Sequence, residues 1–238
     1  MGEIGFGQAI HLVLRGELPG PRIGRLIEAI LVSSIDHGPV VPSALAARNA
    51  ASTGAPLAGC VAAGILAMNR FHGGAIEECA RTIRYVLSRA GEKNIGFADA
   101  AAQIVSESRQ RGERIAGFGR VLHPLDPRTS RLFELAGEAG CRGKHVQVCE
   151  QIAAALEKQS GRKLPINVDG AIAAVLLELQ IEPDVMNGFF MMARLPGLLA
   201  HAREEATREK PLRAVVNCVP SYDGPPRRDV PRHATGGD

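Results

Sequence analysis

Leu164–Gln180 reads LPINVDGAIAAVLLELQ, and its second half decides the fold class. From Gly170 the chain is almost wholly apolar and rich in alanine and leucine, both good helix formers. A helix that is apolar on every side must be buried by its neighbours. Just before it, LPINVD predicts a short extended piece that ends with Asp169 at the mouth of this buried helix. A carboxylate is thereby placed where polar residues are otherwise scarce.

Working outward, apolar positions recur mostly at helical spacing and runs of β-branched residues are short. FGQAIHLVLRG predicts a helix stopped by Gly16, and RIGRLIEAILVSSI a second. VVPSALAARNAAS and PLAGCVAAGILAMNRF predict two helices rich in small residues. Four more follow in AIEECARTIRYVLSRA, GFADAAAQIVSESRQRG, PRTSRLFELAGEAG and HVQVCEQIAAALEKQSG. The last, VMNGFFMMARLPGLLAHAREEAT, has Pro196 as a bend point, and a proline-rich tail begins near Pro211. The chain reads as all-α. GFGR at Gly117–Arg120 lacks the third glycine of a dinucleotide fingerprint and follows a helix, so no Rossmann or P-loop fold is expected. The helices around Val32, Ala46, Ala62 and Val175 are candidates for buried packing, including packing between subunits.

Composition narrows the function classes. The 238 residues carry a formal charge of +3, with no basic stripe outside the tail segment PPRRDVPR. Tryptophan is absent and aromatic residues make up 4% of the chain, which leaves little for base stacking; nucleic acid is not an expected partner. No apolar run approaches the roughly 20 residues that span a bilayer, and the N-terminus lacks the order of a secretion signal. Cys60, Cys79, Cys141, Cys149 and Cys218 are odd in number and form no C-x-x-C pair. They read as reduced thiols of a cytoplasmic protein. No metal-ligand spacing is present, so no metal is expected.

Residues suited to chemistry gather in four connections: SSIDHGPVVPS with His37, NRFHGGA with His72, GFGRVLHPLDPR from Gly117 to Arg128, and INVDGA with Asp169. Each has an ordinary explanation. His37 could be tied to a helix end, and His72 with Gly73-Gly74 could be a C-cap. Asp169 suits an N-cap. Arg128, after Asp126-Pro127, suits a surface ion pair.

Their order and spacing resemble the citrate synthase family, and within it the short citryl-CoA lyase-like branch. Asp36-His37 matches the family's first histidine motif, and AAST at Ala50–Thr53 its A-S-T segment. His72–Ala75 matches H-G-G-A, Gly117–Arg128 the G-F-G-H…D-P-R loop, Asn167–Asp169 N-V-D, and Ala193–Gly197 A/S-R-x-x-G. The resemblance covers nearly the whole chain, which begins without the long N-terminal portion of ordinary citrate synthases; this favours the lyase-like branch. It implies a citrate synthase-like fold. A large dimer-forming domain would span residues 1–72 and 166–238, and a smaller domain, 73–165, would close over coenzyme A. It also implies an enzyme that makes or breaks a C–C bond between an acetyl-CoA enolate and a keto acid. Asp169 would be the base and His72 the donor to the thioester oxygen. His37, Arg128 and Arg194 would hold the acid, and Gly117 and Gly119 would let the backbone approach the thioester substrate. A homodimer or higher homo-oligomer is the implied assembly.

Two departures bear on the reaction. Arg120 stands where the family keeps its loop histidine, and the loop is one residue shorter. Arginine can donate to an alkoxide but is practically never deprotonated in a protein, so it makes an electrophile and a poor base. Three readings stay open. Arg120 clamps the oxyanion, His123 supplies the base, or the chemistry has shifted to another acid or been lost. The family's C-terminal arginine, supplied to the partner subunit, aligns near Asn217; Arg213, Arg227 and Arg228 are the candidates to replace it. A non-catalytic homologue that binds coenzyme A or an organic acid, and a thioester hydrolase, are the competing functions.

Overall fold

The computed structural model describes residues 2–119, 126–213 and 224. Among these, ten α-helices follow one another: α1 Phe6–Arg15, α2 Pro21–Ser33, α3 Pro42–Ser52, α4 Leu57–Leu66, α5 Ala75–Lys93, α6 Phe97–Gln110, α7 Pro127–Glu138, α8 Lys144–Ser160, α9 Val168–Glu178 and α10 Pro183–Arg208. The fold is all-α, as the periodicity predicts. Proline opens α2, α3, α7 and α10, where its missing N–H has no intrahelical partner to lose. Gly16 ends α1 in the left-handed conformation. Pro196 lies inside α10, which remains one helix from Pro183 to Arg208.

Helix α9 is the hub. Val168 and every residue from Gly170 to Leu177 are buried, and α5, α7, α8 and α10 pack around it. Its first turn corrects the sequence reading. Asn167, two residues before Asp169, is the N-cap, and its side chain accepts the Gly170 N–H at 3.1 Å. Asp169 is therefore spared capping duty and sits within the first turn.

At its other end α9 holds α8. The Glu178 carboxylate accepts the N–H groups of Gly143, His145 and Val146 at 2.9, 2.8 and 3.1 Å, and pairs with His145 Nδ1 at 3.0 Å. These backbone donors at the start of α8 have no intrahelical partner, and the helix dipole favours an anion there. Hydrogen bonds to a charged acceptor contribute more than neutral ones. Glu178→Ala is expected to destabilise the fold by about 2–4 kcal/mol, read as a lower urea midpoint with an unchanged slope.

The small-residue helices divide. Val175 is fully buried within the chain's own core, whereas Val32 is 65% exposed and Ala62 lies on an open face of α4. No helix among the described residues is long and apolar enough to cross a membrane.

Candidate active site

A cavity of about 720 Å³ opens where four connections converge. The α2–α3 connector gives Ser34, His37 and Val41, and the α4–α5 turn gives Arg70–Gly73. The start of α7 gives Asp126–Arg128, the start of α9 gives Asn167–Asp169, and α10 adds Phe190 and Arg194. His37, His72, Arg128, Asp169 and Arg194, spread over much of the sequence, thus line one space. Arg120 and His123 lie outside the described residues, as do Arg227 and Arg228. Gly117 and Gly119 are not among the described lining residues. They pair with the segment that leads into α9: Gly117 O accepts the Asn167 N–H at 3.0 Å and Gly119 N–H donates to Pro165 O at 2.8 Å. This pairing fixes the loop that leads to Arg120 against the segment that carries Asp169.

His72 is placed by a tight turn in which Asn69 and His72 exchange backbone hydrogen bonds, each 2.9 Å long. Its ring meets Phe190 edge-on, with centroids 5.7 Å apart. Nε2 faces the N-terminus of α3, 3.4 Å from the Ser43 backbone N and 2.8 Å from Ser43 Oγ. A backbone N–H can only donate, so Nε2 accepts and the neutral ring carries its proton on Nδ1. Burial pushes the His72 pKa down, and Arg194 and His37 add to the effect. The site keeps this imidazole neutral, a hydrogen-bond donor at Nδ1 rather than a cation.

Asp169 receives no hydrogen bond from any described residue. Its side chain is partly open to the cavity, but the surrounding protein leaves it poorly solvated. Burial raises its pKa, against the opposing pull of Arg128 and Arg194. A carboxylate desolvated and unbonded in this way is a stronger base than one in water.

The arginines differ in their commitments. Arg128 makes a two-point pair with Asp126 (Nε to Oδ1 at 2.9 Å, Nη2 to Oδ2 at 2.8 Å) and gives Nη1 to Ser33 O at 3.1 Å. Both readings of Arg128 therefore meet in one side chain: it is ion-paired, it lines the cavity, and two of its five N–H groups have no partner among the described residues. Arg194 is 4% exposed, donates Nε to Ser34 O at 3.0 Å, and lies over the Phe190 ring at 4.6 Å. Its Nη1 is buried with no partner among the described residues. A buried cationic donor left unpaired is costly, and a carboxylate entering the cavity would satisfy it. Arg213 is committed elsewhere: its Nε and Nη2 grip Glu205 of the same chain at 2.8 and 2.5 Å.

Sequence reasoning missed Ser43, which sets the His72 tautomer, and Phe190, which underlies both His72 and Arg194. Phe190 and Arg194 stand one turn apart on α10, so the helical period was the available signal. It also missed Arg70, at the exposed tip of the Asn69–His72 turn. Among the described residues no group of three or more His, Cys, Asp or Glu side chains is placed to hold a metal ion.

Comparison with known proteins gives the family and the fold. The family described as "Citrate synthase, C-terminal domain" matches residues 3–214. The structure of citryl-CoA lyase from Hydrogenobacter thermophilus superposes with a TM-score of 0.85 at 42% identity, covering 97% of this chain and 88% of that one. ATP citrate lyase from Methanothrix soehngenii, solved with citrate and coenzyme A, gives a TM-score of 0.76 at 26% identity over 91% of this chain and 37% of its own. ATP-citrate synthase beta chain protein 1 of Oryza sativa is 27% identical over 205 residues, 79% of this chain and 32% of the relative. The chain spans only 19% to 53% of the length of the first curated relatives it matches. With the family matched along most of its length and the all-α architecture shared, this chain belongs to the citrate synthase family.

Proposed function

We propose that the protein is a CoA-thioester C–C lyase of the citryl-CoA lyase type, able in reverse to join acetyl-CoA to a keto acid. The observation that carries this reading is one juxtaposition: an unbonded, poorly solvated Asp169 shares a cavity with a His72 whose proton is held on Nδ1. Enolising a thioester requires a base at the methyl carbon and a neutral donor at the carbonyl oxygen, and this pair supplies both. In the lyase direction the tertiary hydroxyl of a citryl thioester loses its proton and its oxygen becomes the ketone. The C–C bond breaks toward the thioester, His72 donates to the resulting enolate oxygen, and Asp169 returns a proton to carbon. Arg194, Arg128 and His37 hold the acid's carboxylates, with the unpaired Nη1 of Arg194 as the strongest anchor. Arg120 donates to the oxygen that becomes the ketone, and His123 is the candidate acceptor of the hydroxyl proton. The segment 73–165 acts as a smaller domain closing over coenzyme A, and two copies of the chain form the working assembly.

The test is direct. Purified protein given citryl-CoA is expected to release acetyl-CoA and oxaloacetate in equal amounts. Release of coenzyme A without oxaloacetate would instead identify a thioester hydrolase. Binding of the acid without turnover would identify a homologue that has lost the chemistry.

A further inference from the structure

The α2–α3 connector, residues 34–41, carries His37 and contains no regular structure that would fix it. One face of α10 reads it almost residue by residue. Arg194 Nε donates to Ser34 O at 3.0 Å. One turn on, Gly197 lets the helix run directly against the connector, since a β-carbon there would lie 2.6 Å from Ile35 O and 2.9 Å from Asp36 Oδ1. One further turn on, His201 Nε2 lies 3.0 Å from Asp36 Oδ1. The other Asp36 oxygen accepts the Gly38 N–H at 3.0 Å, so this carboxylate brackets His37 from both sides. Glu205, the next residue of the same stripe, is 2% exposed and holds Arg48 Nε at 2.8 Å. Arg48 Nη1 in turn donates to Pro39 O at 3.1 Å, closing the far end of the connector. Positions 194, 197, 201 and 205 fall on one helical face, and each meets the connector directly or through one side chain.

We propose that His201 is a positioning residue for His37, acting through Asp36. The ring donates from Nε2 to the carboxylate, and the carboxylate holds the His37–Gly38 backbone in the geometry that presents His37 to the cavity. His201 is not among the residues that line the cavity. Its side chain is 12% exposed and its Nδ1 is buried, with the Glu204 carboxylate at 3.5 Å, so the ring has little freedom to leave Asp36. Because His37 is assigned to acid binding only by the function proposed above, the effect on ligand affinity rests on that reading. The effect on His37 itself does not.

The test uses the full chain with H201L, which removes the donor, and H201Q, which keeps an N–H. In the unliganded protein the ring C–H resonance of His37, assigned by its loss in H37A, is expected to shift in H201L and to return toward its wild-type position in H201Q. Calorimetry with oxaloacetate should show Kd raised about tenfold in H201L, the weight of one hydrogen bond to a charged group, with acetyl-CoA affinity unchanged. An unmoved His37 resonance in H201L overturns the proposal, and so does a parallel loss of acid and thioester affinity, which a general loss of structure would give. A His37 shift in a protein that binds no such acid at all would retain the positioning role and refute the citrate-type function. If H201L does not fold, D36N weakens the same contact from its exposed side and is read in the same way.

Discussion

Asp169→Asn is expected to cut turnover of a citryl-CoA-type thioester by roughly a thousandfold, within the range for losing a general acid–base group. It should at the same time raise the melting temperature of the unliganded protein at neutral pH. Both effects follow from one fact. Burial raises the folded-state pKa of Asp169 above its unfolded value. Between those two values the folded protein keeps a proton that the unfolded chain has released, so stability falls as pH rises through the window. Above the folded pKa the full penalty remains. Asparagine has no charge to desolvate and escapes it. The melting temperatures of the two proteins should therefore draw apart as pH climbs above the ordinary carboxylate range and stay apart at neutrality. In the condensation of acetyl-CoA with a keto acid, where Asp169 is the base, the wild-type kcat/KM should decline on its acid side at a pH above that same range; in cleavage, where Asp169 returns the proton, its titration sets the decline on the alkaline side. A variant less stable than wild type at neutral pH would mean that burial does not dominate this carboxyl. Retained turnover would place the base elsewhere.

Gly170→Ala sets local preference against packing. Gly170 lies inside α9, where alanine is favoured over glycine by about 1 kcal/mol. A β-carbon there would stand 2.4 Å from Gly117 O and 3.0 Å from Ile166 Cγ2. The obstacle is backbone, and it cannot move far, because Gly117 O accepts the Asn167 N–H. From the other side, a β-carbon added at Gly117, itself at φ +88°, would meet Cys79 Sγ at 2.5 Å and Gly170 Cα at 2.9 Å. Overpacking of this kind costs about 1–3 kcal/mol or more, so packing wins. Gly170→Ala should lose at least about 2 kcal/mol by denaturant titration. It should also lose activity more steeply than stability, because the displaced segments carry Asp169 and lead to Arg120. A more stable variant would show that helix propensity governs the site.

Much of the candidate site was legible because its residue types are rare in this chain and fall in connections between plain helices. His37, His72, Arg128, Asp169 and Arg194 were named in order, and they line one cavity. What stayed hidden has the form of ordinary structure when read along the chain. Ser43 is one small residue in an alanine-rich helix, and only the fold brings its N–H to His72 Nε2, 29 positions away. His201 and Glu205 look like solvent-facing residues at the polar end of α10. Their partners Asp36 and Arg48 are 165 and 157 residues distant. Arg213 was a candidate to reach a partner subunit, and the structure commits it to Glu205.

The sequence by itself determined the helical class, the positions of the helices and the chemical types in the connections, because periodicity, capping and turn residues act over a few positions. Tertiary structure alone decided which atom of His72 carries the proton. It also decided that, among the described residues, Asp169 receives no hydrogen bond and Arg194 Nη1 has no partner. Those are properties of electrostatics and close packing between segments far apart in the chain, and no local pattern encodes the distance at which two such segments meet.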